Sequence, residues 1–190
     1  MGDVMLATQR LELRTIDPED LDAHLHHLNS PAVMERLGGP RTRDQLAEKH
    51  EKSRAGFAKE GFGFMFAYTR DTGELVAHCG MKRVDNPNAP NQGDHEIGWL
   101  VREDHWRQGY AEESVRAIID WAFGTHKAPY VVALTSEANI GSWKLMEKLG
   151  MIRRADLDFT DPGFPAADSP TIQYSLTKQQ WESQSCTAPA

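Results

Sequence analysis

At 190 residues the chain falls within the size of a single domain, and a fold of this length buries roughly 70% of the surface its unfolded chain exposes. Hydrophobic residues at 39%, with five Trp and seven Phe, supply a packed core and exclude a disordered chain. A formal charge of −7, with Lys and Arg scattered among carboxylates, argues against a nucleic-acid or anionic-membrane surface.

Cys79 and Cys186 form no Cys-x-x-Cys or metal spacing, so neither a disulfide framework nor a metal site is indicated, and a reducing cytoplasm fits. The stretch "MGDVMLATQRLELR" has no apolar signal core, and no run approaches the roughly 18 residues of a bilayer span. The expectation is one soluble domain over residues 1–190, with its core at about 8–181 and a frayed tail at 182–190.

In chain order, "RLELRTI" places Leu11, Leu13 and Thr15 against charged neighbours at the period of a half-buried strand. Asp17 then caps a helix that has Pro18 at its first position and acids in its first turn. Ser30 and Pro31 repeat the cap for a short helix, Ala32 to Leu37, and Thr42 with Gln45 is spaced as the capping box of another that reaches about Glu60. "FGFMFAYTRDTGELVAHCGMKRV" reads as two strands joined at Asp71-Thr72-Gly73, with Gly73 supplying a positive φ. A loop of turn residues follows at 85–93, expected to be mobile, with its closing over a substrate left open, then the strand "HEIGWLV".

The next helix carries Val115, Ile118, Ile119 and Ala122 at the spacing of a buried face. "YVVALTSE" is a strand, "NIGSWKLMEKLG" a helix from about Asn139 closed by Gly150, and "TIQYSLT" a last strand after a Pro/Asp loop. The alternation predicts a mixed α/β sheet with helices on both faces. His24, His26 and His27 read as surface helix, Cys79 as a small buried hydrophobe, and Trp121 and Trp143 as core.

Two helix starts carry candidate chemistry. The free amides at a helix N-terminus, with about half a positive charge behind them, can hold phosphate oxygens. Gly109 lets an anion come close at the head of the first such helix, and Ala111 is small. The turn is neither a P-loop, since Gly-Lys-Ser/Thr is absent, nor a dinucleotide fingerprint, since one Gly cannot fill three roles. Taken alone it reads as an ordinary helix start or as an anion seat. In the second helix, Ser142 shares the inward stripe of Leu145, Met146 and Leu149, with Asn139 one turn earlier. Either both polar groups cap locally or both face a ligand.

"WRQGYAEESVRAIIDWAF" followed after one strand by "SEANIGSWKLMEKLGM" resembles the paired signature of the GCN5-related N-acetyltransferases, in the branch of ribosomal-protein alanine acetyltransferases. "RLELR", "HEIGWLV" and "DLDFTDPGFP" are similar to that branch too, so the resemblance spans about residues 8–181. One departure is Trp106, three residues before the Gly, where the broader family motif has Gln or Arg.

The resemblance implies a mixed, mostly antiparallel sheet with a splayed strand pair holding acetyl-CoA, and no metal. Gln108, Gly109, Tyr110 and Ala111 would take the pyrophosphate, with Glu112 beside them and Arg107 as an outer phosphate contact. The backbones of Leu100 and Val101, and the Asn139 side chain, would bond the pantetheine arm, and Ser142 would lie near the sulfur.

Acetyl transfer to an amine needs the unprotonated form, which for a lysine-like amine is only about 0.1% of the total near pH 7.4. Glu96, four residues before Leu100 on one strand face, is the expected proton acceptor, and Ser142 the donor to the leaving thiolate. Asp94, Asp156, Asp158 and Asp161, in loops, would attract a cationic acceptor at the site, with Glu96 among its contacts. The expected acceptor is thus a small cationic amine such as an aminoglycoside-type antibiotic, which would make the protein an agent of antibiotic resistance. The alternatives are the N-terminal amine of a ribosomal or other protein, or a non-catalytic acyl-CoA-binding domain. No nucleic-acid or membrane partner is expected, and a homodimer is left open.

Overall fold

The computed structural model describes residues 2–185. They divide into two compact units, one made of the residues up to Lys82 with Gly98–Ile118, the other of Arg83–Ile97 with the residues from Ile119 on. Eight strands, mostly antiparallel, and accompanying helices give a mixed α/β architecture.

In the first unit, β1 (Val4–Ala7), β2 (Leu11–Thr15), β3 (Phe64–Thr69) and most of β4 (Leu75–Arg83) form an antiparallel meander. Alternation sets the register, since Leu11 and Leu13 are fully buried while Glu12 between them is not. The β3–β4 turn has Gly73 at φ 72°, as its sequence demands. Helices α2 (Pro31–Met34) and α3 (Arg43–Glu60) start where the caps predict, though α2 ends before the expected Leu37, and α1 (Leu21–His27) starts three residues after the expected Pro18. Asp17 caps a short 3-10 turn, Pro18–Asp20, that leads into α1; Ser30 accepts from the Val33 amide; and Thr42 with Gln45 closes a full capping box.

One expectation about this unit is overturned. His24 is not a surface residue: it is 2% exposed, its Nδ1 lies 2.8 Å from Nε2 of His50 on α3, and its ring meets those of Phe66 and His78. Burial pushes His24 down to about 3 and His50 to about 4, with the neighbouring cations Lys49 and Arg54 acting in the same direction. His78 is likewise held well below its ordinary value by burial.

In the second unit, β6 (Tyr130–Ser136) pairs antiparallel along its whole length with β8 (Thr171–Thr177), and two-residue β7 (Ile152–Arg153) pairs with β8 on its other side. Strand β5 (His95–Val101) pairs in parallel with β6 at a single register point, Glu96↔Val132. Strand β5 and helix α4 (Tyr110–Gly124) each run across the division, residues 98–101 and 110–118 belonging to the first unit; α4 buries Val115, Ile118, Ile119 and Ala122, and α5 (Ile140–Lys148) ends at Gly150 with φ 76°.

The chain does not fray after Trp181. Helix α6 (Lys178–Ser185) continues, with Trp181 Nε1 donating to Asp120 Oδ1 at 2.7 Å, while the rest of the expected tail, 186–190, lies outside the described residues. The 85–93 loop, expected to be mobile, is fastened: Asn91 and Gln173 exchange two 3.0 Å hydrogen bonds, and Asn86 donates to Asp161 at 2.6 Å.

Candidate functional site

The turn ahead of α4 is shaped by two left-handed residues, Arg107 at φ 62° and Gly109 at φ 83°. For Gly109 this conformation is cheap; for Arg107 it costs on the order of 1 kcal/mol and persists because its surroundings hold it. The first helical hydrogen bond is from the Glu113 amide to the Gly109 carbonyl, at 3.0 Å. Among the described residues, no protein group takes the amides of Gly109, Tyr110 or Ala111. Three unspent donors with the dipole of a 15-residue helix behind them can hold an anion. A side chain at Gly109 would meet only the Arg10 Nη2, at 3.3 Å, so the turn is open to close approach.

Two residues that hold this turn escape a reading of the sequence. Trp106, the departure from the family motif, donates its indole Nε1 to the Val101 carbonyl at 2.7 Å, tying the end of β5 to the turn. One acceptor position of Val101 is therefore already used. Arg10, just before β2, donates through Nη1 to the Gln108 carbonyl at 2.9 Å and through Nε to Glu113 at 2.6 Å, and lies 4.5 Å over the Tyr110 ring. Burial raises the Glu113 carboxyl, but hydrogen bonds from the Thr8 hydroxyl and from Arg10 outweigh it and hold the group below its ordinary value. Glu112, expected beside the cofactor, accepts from Arg116 one turn on at 3.0 and 3.1 Å.

The start of α5 differs. Asn139 sits at the N-cap position without making a side-chain cap, so the local reading of that residue does not hold. Ser142 does not bond back into its helix either. Among the described residues neither the Asn139 amide group nor the Ser142 hydroxyl has a protein partner, and both residues are half-buried.

Glu96 stands at the one register point of β5 with β6 and is half-buried. The loop acids are each engaged. Asp94 accepts from the Tyr130 hydroxyl at 2.7 Å and from Asn91 at 2.9 Å. Asp156 takes two hydrogen bonds from Arg154, and Asp158 two from Arg153 at 2.5 and 2.7 Å. Cys79 is fully buried and its thiol is pushed by burial to about 12, which leaves it inert near neutral pH. Among the described residues no group of three His, Cys, Asp or Glu is arranged to hold a metal ion, and no helix is long and apolar enough to cross a membrane.

A mostly antiparallel α/β sheet, one parallel strand contact and a helix start with free amides define a mixed α/β protein with a seat for an anion such as a phosphate. The acetyltransferase (GNAT) domain model matches residues 10–152, and the chain belongs to that family. It is an acetyl-CoA-dependent N-acetyltransferase.

The uncharacterized protein YkkB of Bacillus subtilis is 31% identical over 148 residues, covering 77% of this chain and 84% of that protein. The FsC-acetyl coenzyme A-N(2)-transacetylase of Aspergillus fumigatus is 26% identical over 183 residues, covering 93% and 77%. A solved acetyltransferase of Agrobacterium tumefaciens superposes with a TM-score of 0.73 at 29% identity, covering 91% of this chain and 94% of that one.

Proposed function

We propose that the protein transfers the acetyl group of acetyl-CoA directly to a primary amine of a small molecule, within a ternary complex. The observation that carries this reading is the start of α5, where a half-buried amide and a half-buried hydroxyl are left without a protein partner among the described residues. Such groups are free to hydrogen-bond a ligand without first breaking a bond within the protein. The amides of Gly109, Tyr110 and Ala111, with Gln108, seat the diphosphate, and Arg107 reaches its outer oxygens. Leu100 and Val101, by their backbones, and Asn139, by its amide, hold the pantetheine arm.

Glu96 accepts the amine proton, directly or through a water, as the nitrogen attacks the thioester carbonyl. The carbon–sulfur bond then breaks, the Ser142 hydroxyl donates a hydrogen bond to the leaving thiolate, and the thiolate takes its proton from solvent. The acceptor is a small amine, in keeping with the 26% identical relative whose name specifies N(2) transacetylation. Of the loop acids, Asp156 and Asp158 are balanced by Arg154 and Arg153, whereas the Asp94 carboxylate accepts, among the described residues, only from the neutral Tyr130 and Asn91 and keeps its charge available to a cationic amine.

Thiol release from acetyl-CoA, measured across aminoglycosides, polyamines and N-terminal peptides, tests the acceptor. Turnover with small amines is the expected result, and turnover with peptides alone overturns it. In the same assay Glu96→Gln lowers kcat about 100-fold, the loss of a positioned base. Unchanged turnover removes Glu96 from the mechanism.

A further inference from the structure

Free amides explain how the α4 turn attracts an anion, but not how a helix with two glutamates in its first turn tolerates one. Glu112 and Glu113 lie where the helix dipole favours negative charge, and an uncompensated carboxylate there competes with a diphosphate for the same field. Each is cancelled in a different way. Glu112 is paired with Arg116 on its own helix, an ordinary i,i+4 contact.

Glu113 is paired from 103 residues away, by the Arg10 backbone amide at 2.8 Å and the Arg10 Nε at 2.6 Å, with the Thr8 hydroxyl adding a third donor at 2.6 Å. The same guanidinium reaches into the turn itself, through Nη1 to the Gln108 carbonyl. Its Nη2 has no partner among the described residues and lies beside Gly109.

We propose that Arg10 is the positioning residue of the anion-binding turn. It cancels the charge of Glu113 and, by pinning the Gln108 carbonyl, keeps the amides that follow turned toward the ligand. This rests on the reading that the turn seats the diphosphate of acetyl-CoA. As a pair whose Arg10 side chain is 43% exposed, the contact contributes little to stability, so its loss should register in cofactor use.

The test compares two donors, acetyl-CoA and acetyl-pantetheine, the second of which lacks the diphosphate. Arg10→Gln is expected to raise KM for acetyl-CoA about tenfold, the scale of one charge-assisted hydrogen bond, with kcat and the acetyl-pantetheine KM changed less than about twofold. An unchanged acetyl-CoA KM, or an equal change for both donors, overturns the proposal.

Glu113→Gln alone separates charge cancellation from simple cross-linking: the proposal expects the acetyl-CoA KM to stay level or fall, whereas a purely structural pair would give the same rise as Arg10→Gln. Adding Glu113→Gln to Arg10→Gln should recover at least half of the loss, and no recovery removes charge cancellation from the role of Arg10. Arg10→Lys, which keeps the charge and loses the two-pronged grip, should fall between wild type and Arg10→Gln. If Arg10→Gln does not fold, by circular dichroism, the Glu113→Gln and Arg10→Lys results decide. Gly109→Trp is the separate check on the turn: normal coenzyme A binding by that variant overturns the diphosphate reading itself, whatever Arg10 does.

Discussion

Helices α4 and α5 both begin with candidate ligand contacts, yet the two starts are built in opposite ways. At α4 the helix's first-turn carboxylates are wired to protein, Glu113 to Arg10 and Glu112 to Arg116, and the groups left over among the described residues are the backbone amides that open the helix and the Arg107 side chain. At α5 the Asn139 carbonyl accepts from the Ser142 and Trp143 amides, and among the described residues the side chains of Asn139 and Ser142 are left over. The contrast fits the two jobs. On the proposed reading, a diphosphate that is the same in every turnover is held by fixed backbone dipoles, which need rigidity. The reacting sulfur and its arm need groups that reorganise hydrogen bonds as charge develops, and side chains do that.

The sharpest way to break this comparison is at Gly109. Gly109→Trp should weaken coenzyme A binding about 100-fold or more by calorimetry, because a bulky residue blocks close approach and disfavours the left-handed turn. The melting temperature should fall by a few degrees, the cost of a left-handed non-glycine residue, since a Cβ there meets only the end of Arg10. A binding loss matched by an unfolded far-ultraviolet spectrum would return the turn to an ordinary structural role.

Smaller effects are expected at α5. Ser142→Ala should lower kcat about tenfold with little change in KM, and Asn139→Ala should raise KM for acetyl-CoA about fivefold with kcat nearly intact, each being the loss of one hydrogen bond. If both substitutions act only on stability, the two helix starts are not functionally different.

Acid provides the mildest probe, and it separates both sites from the scaffold. His24 and His50 are depressed to about 4 and below in the folded chain, whereas unfolded they bind protons near 6.5. The unfolded state therefore takes up more protons as pH falls from about 6.5 to the folded values, and the histidine contribution to stability should decline down to about 4 for His50 and about 3 for His24. Lys49 and Arg54 reinforce the effect and Asp20 opposes it at His50. Melting temperatures measured between pH 7.5 and 5 should fall, and His50→Gln should flatten the slope. Loss of coenzyme A binding that follows the melting curve belongs to the histidine cluster, and loss that precedes it belongs to a helix start.

Local chemistry made much of this legible from the chain alone. The Thr42/Gln45 box, the Asp17 and Ser30 caps, the Gly73 turn and the Gly150 terminus each depend on residues within a few positions of one another. What escaped depends on distant partners or on weak pattern. β1 is four residues at a sheet edge, with Val4 and Met5 exposed at 48% and 38%, so no alternation marks it. β7 has two residues.

α6 is polar throughout, yet Thr177 and Gln180 form the same reciprocal cap as Thr42 and Gln45, a signal that would have found it. His24 is surrounded by polar neighbours in sequence, and only the sheet and α3 bring His50, His78 and Phe66 to it. For the site, the turn and the pair Asn139 and Ser142 were readable as residue types in a pattern, whereas Arg10 was not, because its partners lie about a hundred positions on.

That long separation also has an evolutionary consequence. Position 10 sits in a short segment ahead of a strand, and position 113 lies inside a helix, so mutation strikes them independently, while the charge of one is balanced by the other. Losing the arginine alone exposes a carboxylate at the mouth of a helix, and losing the acid alone strands a cation. Lineages in which one has drifted are then expected to have changed the other, and the two columns should co-vary across the family even where the turn between them is constant.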